Sequence, residues 1–228
     1  MHYSIGKIFI RFKKFDAFNY RSSHNTLATK SGGVAIFISL FLVSIFFYLN
    51  SNEIYDFSLL IPLGIMFIVG VYDDFYSADF KLKFLLQIIV AKILIDQGFV
   101  ISNFYGFLGL HEVSWIMAQL TTIFVFLVIV NGINFIDGID GLAITEVIKT
   151  ILLIEYFSLS KTPLFYLSFI LLASIAPLYY FNFKKKKKIF LGDSGSLFLG
   201  SLIACYVFYV LTPEYKFMPG FELNKFIF

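Results

Sequence analysis

Three stretches gather oxygen-bearing side chains in a chain that is otherwise apolar: GVYDDFYSADFKLKFLLQ (70–87), VNGINFIDGIDGLA (130–143) and FLGDSGSLFLG (190–200). In the first, Asp73 and Asp74 are adjacent carboxylates at the end of an apolar run. Their repulsion is costly near lipid unless a cation or a proton relieves it. Lys81 and Lys83 follow within one or two helical turns, where they would steer and neutralise phosphate. The plainer reading is a solvated cap, with Asp74 or Ser77 starting the next helix and Lys83 snorkelling to the interface.

In the second stretch Asn131, Asn134, Asp137 and Asp140 recur every third residue, so on a helix they form a column of oxygen ligands along one face. Gly132, Gly138 and Gly141 argue that the segment breaks at a membrane surface, where irregular backbone needs protein or water beside it. Oxygen donors without His or Cys suit a hard ion, Mg²⁺ or Mn²⁺. A turn rich in Asn, Asp and Gly is the plainer alternative. In the third stretch Asp193 opens an apolar run at a helix start, where unsatisfied N–H groups favour anions. It reads either as an N-cap or, beside the other two segments, as a second metal ligand. A fourth stretch, FDAFNYRSSHNTLATKSGGVAIF (15–37), mixes Arg21, His24 and Lys30 with hydroxyl residues. It suits phosphate or nucleotide contact and a basic membrane anchor equally well.

The elements that must position these groups are membrane helices. Of the 228 residues, 59% are hydrophobic and only 14% charged, and the mean hydropathy is +0.83. That excludes a soluble fold around one core. A spanning helix needs about 20 mainly apolar residues, and such runs recur near 33–49, 57–72, 84–101, 115–131, 142–159, 163–181 and 194–211. The expected fold is therefore all-α: a single transmembrane domain of about seven spans over 1–228. No removable signal pattern precedes the first run. Cys205 lies mid-span without a second thiol and reads as a packing residue. Lys92 and Asp96 are placed to pair as i, i+4 neighbours, while Glu146, Lys149 and Glu155 either pair or face a cavity.

With seven spans the connecting segments alternate between faces. One set holds 13 of the 18 Lys and Arg, including the run at 184–188, and the positive-inside rule makes that set cytoplasmic. The N-terminus is then inside and the C-terminus outside. The lysine run itself reads as a topology anchor that also attracts anionic headgroups. Asp73, Asp74, Asn131, Asn134, Asp137, Asp140 and Asp193 all fall on that cytoplasmic face. A divalent-cation transporter would place its acidic residues near mid-membrane, so it ranks behind an enzyme working at one surface.

The order NxRSSHxxxxTxxGG, YDD with Lys83 nine residues past Asp74, NGINFIDGIDGLA and FLGDSGSLFLG resembles the polyprenyl-phosphate N-acetylhexosamine-1-phosphate transferases over 15–211. The resemblance implies a multi-pass protein of the bacterial plasma membrane. It would move a sugar 1-phosphate from a UDP-sugar to polyprenyl phosphate, release UMP, and start cell-wall, O-antigen or other lipopolysaccharide synthesis. It also implies that Asn134 and Asp193 hold Mg²⁺, with Mn²⁺ as the substitute, and that Lys83 contacts the nucleotide-sugar phosphates. Asp73 and Asp74 form the acidic pair on the lipid-phosphate side, one of them a base; with Asp193 they are the expected catalytic residues. By the same resemblance Asp137 and Asp140 would line the nucleotide pocket or orient its ligands, and Asn131 and His24 would join the substrate-binding set. Direct attack by the lipid phosphate and an aspartyl-phosphate intermediate on Asp73 or Asp74 both remain open. Membrane lipids are expected partners and nucleic acid is not.

Members of that family carry further spans and a cytoplasmic loop rich in His and Arg, for which His2, His24 and His111 offer no substitute. The chain thus reads as a fragment of an active transferase, as a short transferase completed by a second polypeptide, or as a non-catalytic membrane protein that binds lipid phosphate or a partner.

Overall fold

The structure, a computed structural model, describes residues 1–11, 28–52, 54–184 and 188–219. Eight helices and one pair of very short strands account for the described fold: α1 (His2–Arg11), β1 (Ala28–Thr29), α2 (Gly32–Leu49), α3 (Leu60–Tyr76), α4 (Phe80–Asp96), α5 (Trp115–Ile136), α6 (Leu142–Phe157), α7 (Phe165–Asn182), β2 (Lys188–Ile189) and α8 (Asp193–Val210). Five stretches are long and apolar enough to cross a membrane: α2, Phe57–Tyr76, α5, α7 and α8. The other two runs expected to span are α4 and α6, at 17 and 16 residues. The protein is a polytopic α-helical membrane protein.

α8 lies at the centre: 83% of it is buried, against 22% of the window in α5. It packs chiefly against α3 and α5, and then against α2 and α6. Glycines allow this close crossing, as small residues do between helices in lipid. A Cβ on Gly33 of α2 would lie 2.1 Å from the Gly195 nitrogen, and one on Gly70 of α3 would lie 2.3 Å from the Asp193 carbonyl oxygen. Phe46, Ile68, Phe124 and Phe135 sit on the outside of the bundle, where lipid tails favour them.

Helix boundaries differ from the apolar runs in a consistent way. α3 continues past Tyr72 through Tyr76, so Asp73 and Asp74 belong to its last turn. α5 runs through Gly132 to Ile136, and the break comes later, at Gly141 with φ +72°. α4 starts four residues before its apolar run, after Asp79, and stops before Gly98 at φ +95°. Hydropathy marks where lipid contact ends, whereas helices continue as long as backbone hydrogen bonds do.

The parallel β1–β2 pair, with Ala28 opposite Lys188 and Thr29 opposite Ile189, departs from an all-α expectation, as do two isolated antiparallel bridges, Asn103 with Glu112 and Ser158 with Phe217. The β1–β2 pair aligns the entries to α2 and α8. Gly32 and Gly33 donate their N–H groups to the Phe190 and Leu191 carbonyls at 2.9 and 2.8 Å, which satisfies two of the orphan amides of α2. α1 packs alongside. Its Gly6 rests on Ile189, and His2 donates from Nε2 to the Ser174 carbonyl at 2.8 Å, beside the turn of α7 that carries Pro177.

Candidate active site

One end of the bundle collects the last turns of α3 and α5, the first turns of α4 and α8, and the link between β1 and α2. The polar groups meet here because each sits at a helix terminus, where the backbone still has unpaired N–H or C=O groups.

Asp74 is deeply buried, its side chain only 3% exposed. Its Oδ1 accepts from the Asp193 N–H at 3.0 Å and its Oδ2 from the Ser194 N–H at 2.9 Å. An acid on α3 therefore caps α8, and places a negative charge at the positive end of a buried helix dipole. Gly192 makes room for it. Its φ is +76°, and a Cβ there would lie 2.9 Å from Asp74 Oδ2 and 3.0 Å from Lys30 Cβ. Asp73 faces the other way. Its Oδ1 accepts from Ala78 N–H at 2.8 Å and its Oδ2 from Lys83 Nζ at 2.6 Å.

Asp193 is the meeting point. Its Oδ1 accepts from Asn134 Nδ2 at 2.6 Å and lies 3.5 Å from Lys83 Nζ, while its Oδ2 lies 3.9 Å from Lys30 Nζ. Asn134 also donates to Ser196 Oγ at 2.8 Å. Asp137 follows the end of α5 and faces the same charges. Burial, then the Asp193 and Asp74 carboxylates, push it up to about 8.

The structure thus brings together Asp73, Asp74, Lys83, Asn134, Asp137 and Asp193 of the expected residues. Two others have different partners. Asn131 exchanges hydrogen bonds with the buried Gln87, donating at 2.9 Å and accepting at 3.2 Å, and donates again to the Leu127 carbonyl at 2.8 Å. Its amide is spent on clamping α5 to α4, so the ligand column ends at Asn134. Asp140 lies in the turn after α5 and forms an ion pair with Lys188 of β2. His24 lies outside the described residues. Ser196 joins the site without having been singled out, and Lys30, whose stretch suits phosphate contact and a membrane anchor equally, reaches it as well, while Gln87 stands behind it through Asn131. Gln87 carried a usable signal: it is a lone amide in an apolar run, one turn after Lys83. The expected helical pairs are present elsewhere, Lys92 with Asp96 and Lys149 with Glu146. Cys205 is buried and free.

The pattern of glycosyl transferase family 4 matches residues 56–211, which hold all of this site except Lys30. A probable undecaprenyl-phosphate N-acetylglucosaminyl 1-phosphate transferase of Bacillus subtilis is 32% identical over 204 residues, covering 88% of this chain and 56% of that protein. A decaprenyl-phosphate N-acetylglucosaminephosphotransferase of Mycobacterium leprae is 29% identical, covering 89% of this chain and 56% of that one. A phospho-N-acetylmuramoyl-pentapeptide-transferase of Clostridium acetobutylicum is 26% identical, covering 84% and 65%. The chain spans a little over half the length of the first two relatives. With two thirds of its residues inside the family pattern, the chain belongs to glycosyl transferase family 4.

Proposed function

We propose that this site transfers an N-acetylhexosamine 1-phosphate from a UDP-sugar to a polyprenyl phosphate, releasing UMP, at the cytoplasmic face of a bacterial plasma membrane, as the first step of cell-surface polysaccharide or cell-wall synthesis. The observation that carries the reading is the convergence of Asp73, Asp74, Lys83, Asn134 and Asp193 from separate segments onto one helix end. The names of the relatives support the acceptor and the transferred group. In this reading α4 and α6 also cross the bilayer, giving seven spans, and the lysine-rich end that includes Lys30, Lys81, Lys83, Lys184 and Lys188 faces the cytoplasm.

A lipid phosphate oxygen attacks the phosphorus that carries the sugar, a new P–O bond forms, and the P–O bond to UMP breaks. Phosphate oxygen is already nucleophilic near neutral pH, so the site's main task is to hold two anions together. Lys83, anchored on Asp73, supplies a fixed positive charge for them. Asp74 has both oxygens committed to backbone N–H groups and Asp73 has its two on the Ala78 amide and Lys83, which suits both poorly to act as nucleophile and favours direct attack over an aspartyl-phosphate. Among the described residues no three His, Cys, Asp or Glu are grouped to hold a metal. The donor set is nevertheless one that Mg²⁺ accepts: the Asp193 carboxylate and the Asn134 amide are hard donors, few enough to leave positions for water and phosphate oxygens. Bound there, Mg²⁺ or Mn²⁺ would neutralise phosphate oxygens and steady the UMP leaving group.

The test is UMP release by membranes containing this chain, supplied with Mg²⁺, undecaprenyl phosphate and UDP-N-acetylglucosamine, beside an Asp193→Asn control. Release by the wild type that disappears in the control supports the reading. Release that survives in the control removes Asp193 from the site, and no release by the wild type refutes catalysis by this chain alone.

A further inference from the structure

Lys30 stands outside the family pattern, which begins at residue 56, yet its side chain reaches the centre of the site. Three features put it there. β1 pairs with β2 immediately before it, and the Gly32 and Gly33 amides bind the Phe190 and Leu191 carbonyls immediately after it, so its backbone is held on both sides. Its Cβ passes over Gly192, where an added Cβ would lie only 3.0 Å away. Its ammonium lies 3.9 Å from both Asp74 Oδ1 and Asp193 Oδ2.

Neither carboxylate holds it closely. A hydrogen bond from an ammonium spans about 2.7–2.9 Å when charge-assisted, and among the described residues Lys30 makes none. Asp74 already has two amide donors, and Asp193 has Asn134 and Lys83. Lys83 differs in each respect: it is 14% exposed and 2.6 Å from Asp73. Lys30 is 38% exposed and keeps its donors for another acceptor. The two ammonium groups flank Asp193, Lys83 on the Oδ1 side and Lys30 on the Oδ2 side. The carboxylates of Asp73, Asp74 and Asp193 outnumber these two lysines, so an incoming phosphate meets net negative charge unless cations turn toward it.

We infer that Lys30 is a second phosphate-binding cation of this site, receiving a phosphate group from the solvent side of Asp193 while Lys83 holds the opposite side. The inference rests on the transferase reading and adds a residue to it. The phosphate belongs either to the nucleotide diphosphate or to the isoprenyl monophosphate, and the experiment separates the two.

Purified chain in lipid nanodiscs would be titrated with UDP plus Mg²⁺, with farnesyl phosphate, and with uridine as the phosphate-free reference, for wild type, Lys30→Met, Lys30→Arg and Lys161→Met. Lys161 lies beside the Phe165 ring, away from the site, and controls for general loss of positive charge. One lost charged hydrogen bond corresponds to about tenfold or more in affinity. Lys30→Met is expected to weaken at least one phosphate ligand by that factor, with uridine unchanged, Lys30→Arg close to wild type and Lys161→Met without effect. Weakening of UDP alone assigns Lys30 to the donor, of farnesyl phosphate alone to the acceptor. Wild-type affinity of Lys30→Met for both ligands, or an equal loss in Lys161→Met, overturns the inference and leaves the transferase reading standing. A wild type that binds neither ligand overturns that reading and this inference with it.

Discussion

Asp74→Asn separates a carboxylate that builds the site from one that takes part in the reaction. In the wild type both oxygens of Asp74 are occupied, by the first two amides of α8 at 3.0 and 2.9 Å. The asparagine oxygen can keep one of these bonds, and its NH₂ then faces the other amide, donor against donor. An unsatisfied buried N–H costs about 1–3 kcal/mol. Losing a negative charge at a partly buried helix N-terminus costs up to about 2 kcal/mol more. Relief from burying a carboxylate that is 3% exposed offsets part of this. The expected net loss is about 2–3 kcal/mol of unfolding free energy, read from SDS titration of the purified chain in mixed micelles. Hydrogen exchange should rise at the first turn of α8. The same loosening displaces Asp193, so stability and phosphate-ligand binding should fall together. An unfolding free energy within about 0.5 kcal/mol of wild type, inside the range of ordinary surface substitutions, with unchanged exchange at 193–196, would refute the capping role and return Asp74 to the candidates for base or nucleophile.

The Gln87–Asn131 clamp should show coupling: Gln87→Leu and Asn131→Leu are each expected to destabilise by about 1–3 kcal/mol, and the double variant by less than their sum by roughly 0.6–1.7 kcal/mol. Strict additivity in the same SDS titration would mean the two amides stabilise nothing jointly. Asp137 has a folded pKa of about 8, raised above its ordinary 3.8. The folded protein therefore holds a proton that the unfolded chain releases, and stability without metal falls as pH rises between those values. Asp137→Asn cannot titrate and should flatten that fall, as read from melting temperatures in EDTA across the range; an unchanged slope would place the titration elsewhere.

The three polar stretches were legible because a carboxylate or amide in an apolar run has few reasons to be there. Their meeting at one end of the bundle agrees with the expectation that they share a face. What each group touches was not legible. The amides that Asp74 caps lie 119 and 120 residues further along the chain, and no local pattern announces them. Asn131 shares its period of three with Asn134, yet the helix turns one toward Gln87 and the other toward Asp193. A spacing of three or four residues specifies a broad stripe, and the neighbouring helix decides which member of the stripe does what. Lys30 looked like any other cation of a basic loop because its position depends on a two-residue strand pair, too short to read from propensity.

The geometry ranks the carboxylates. α8 is the most buried of the spanning helices, so its N-terminus cannot rely on water for its orphan amides. Asp74 satisfies two of them, and its charge is spent on the helix. Asp73 spends its charge on Lys83 and on the Ala78 amide, which closes the turn where Ser77 takes φ +56°. Asp137 favours its protonated form near neutral pH in the absence of a cation. Asp193 remains. It is 25% exposed, and its lysines stand at 3.5 and 3.9 Å instead of in close contact. A cation or a phosphate arriving from water can enter those gaps without breaking a helix cap or a tight ion pair. Asp74 caps the helix that carries Asp193 and Asp73 anchors the lysine beside it, so binding energy spent at Asp193 need not be repaid in folding energy.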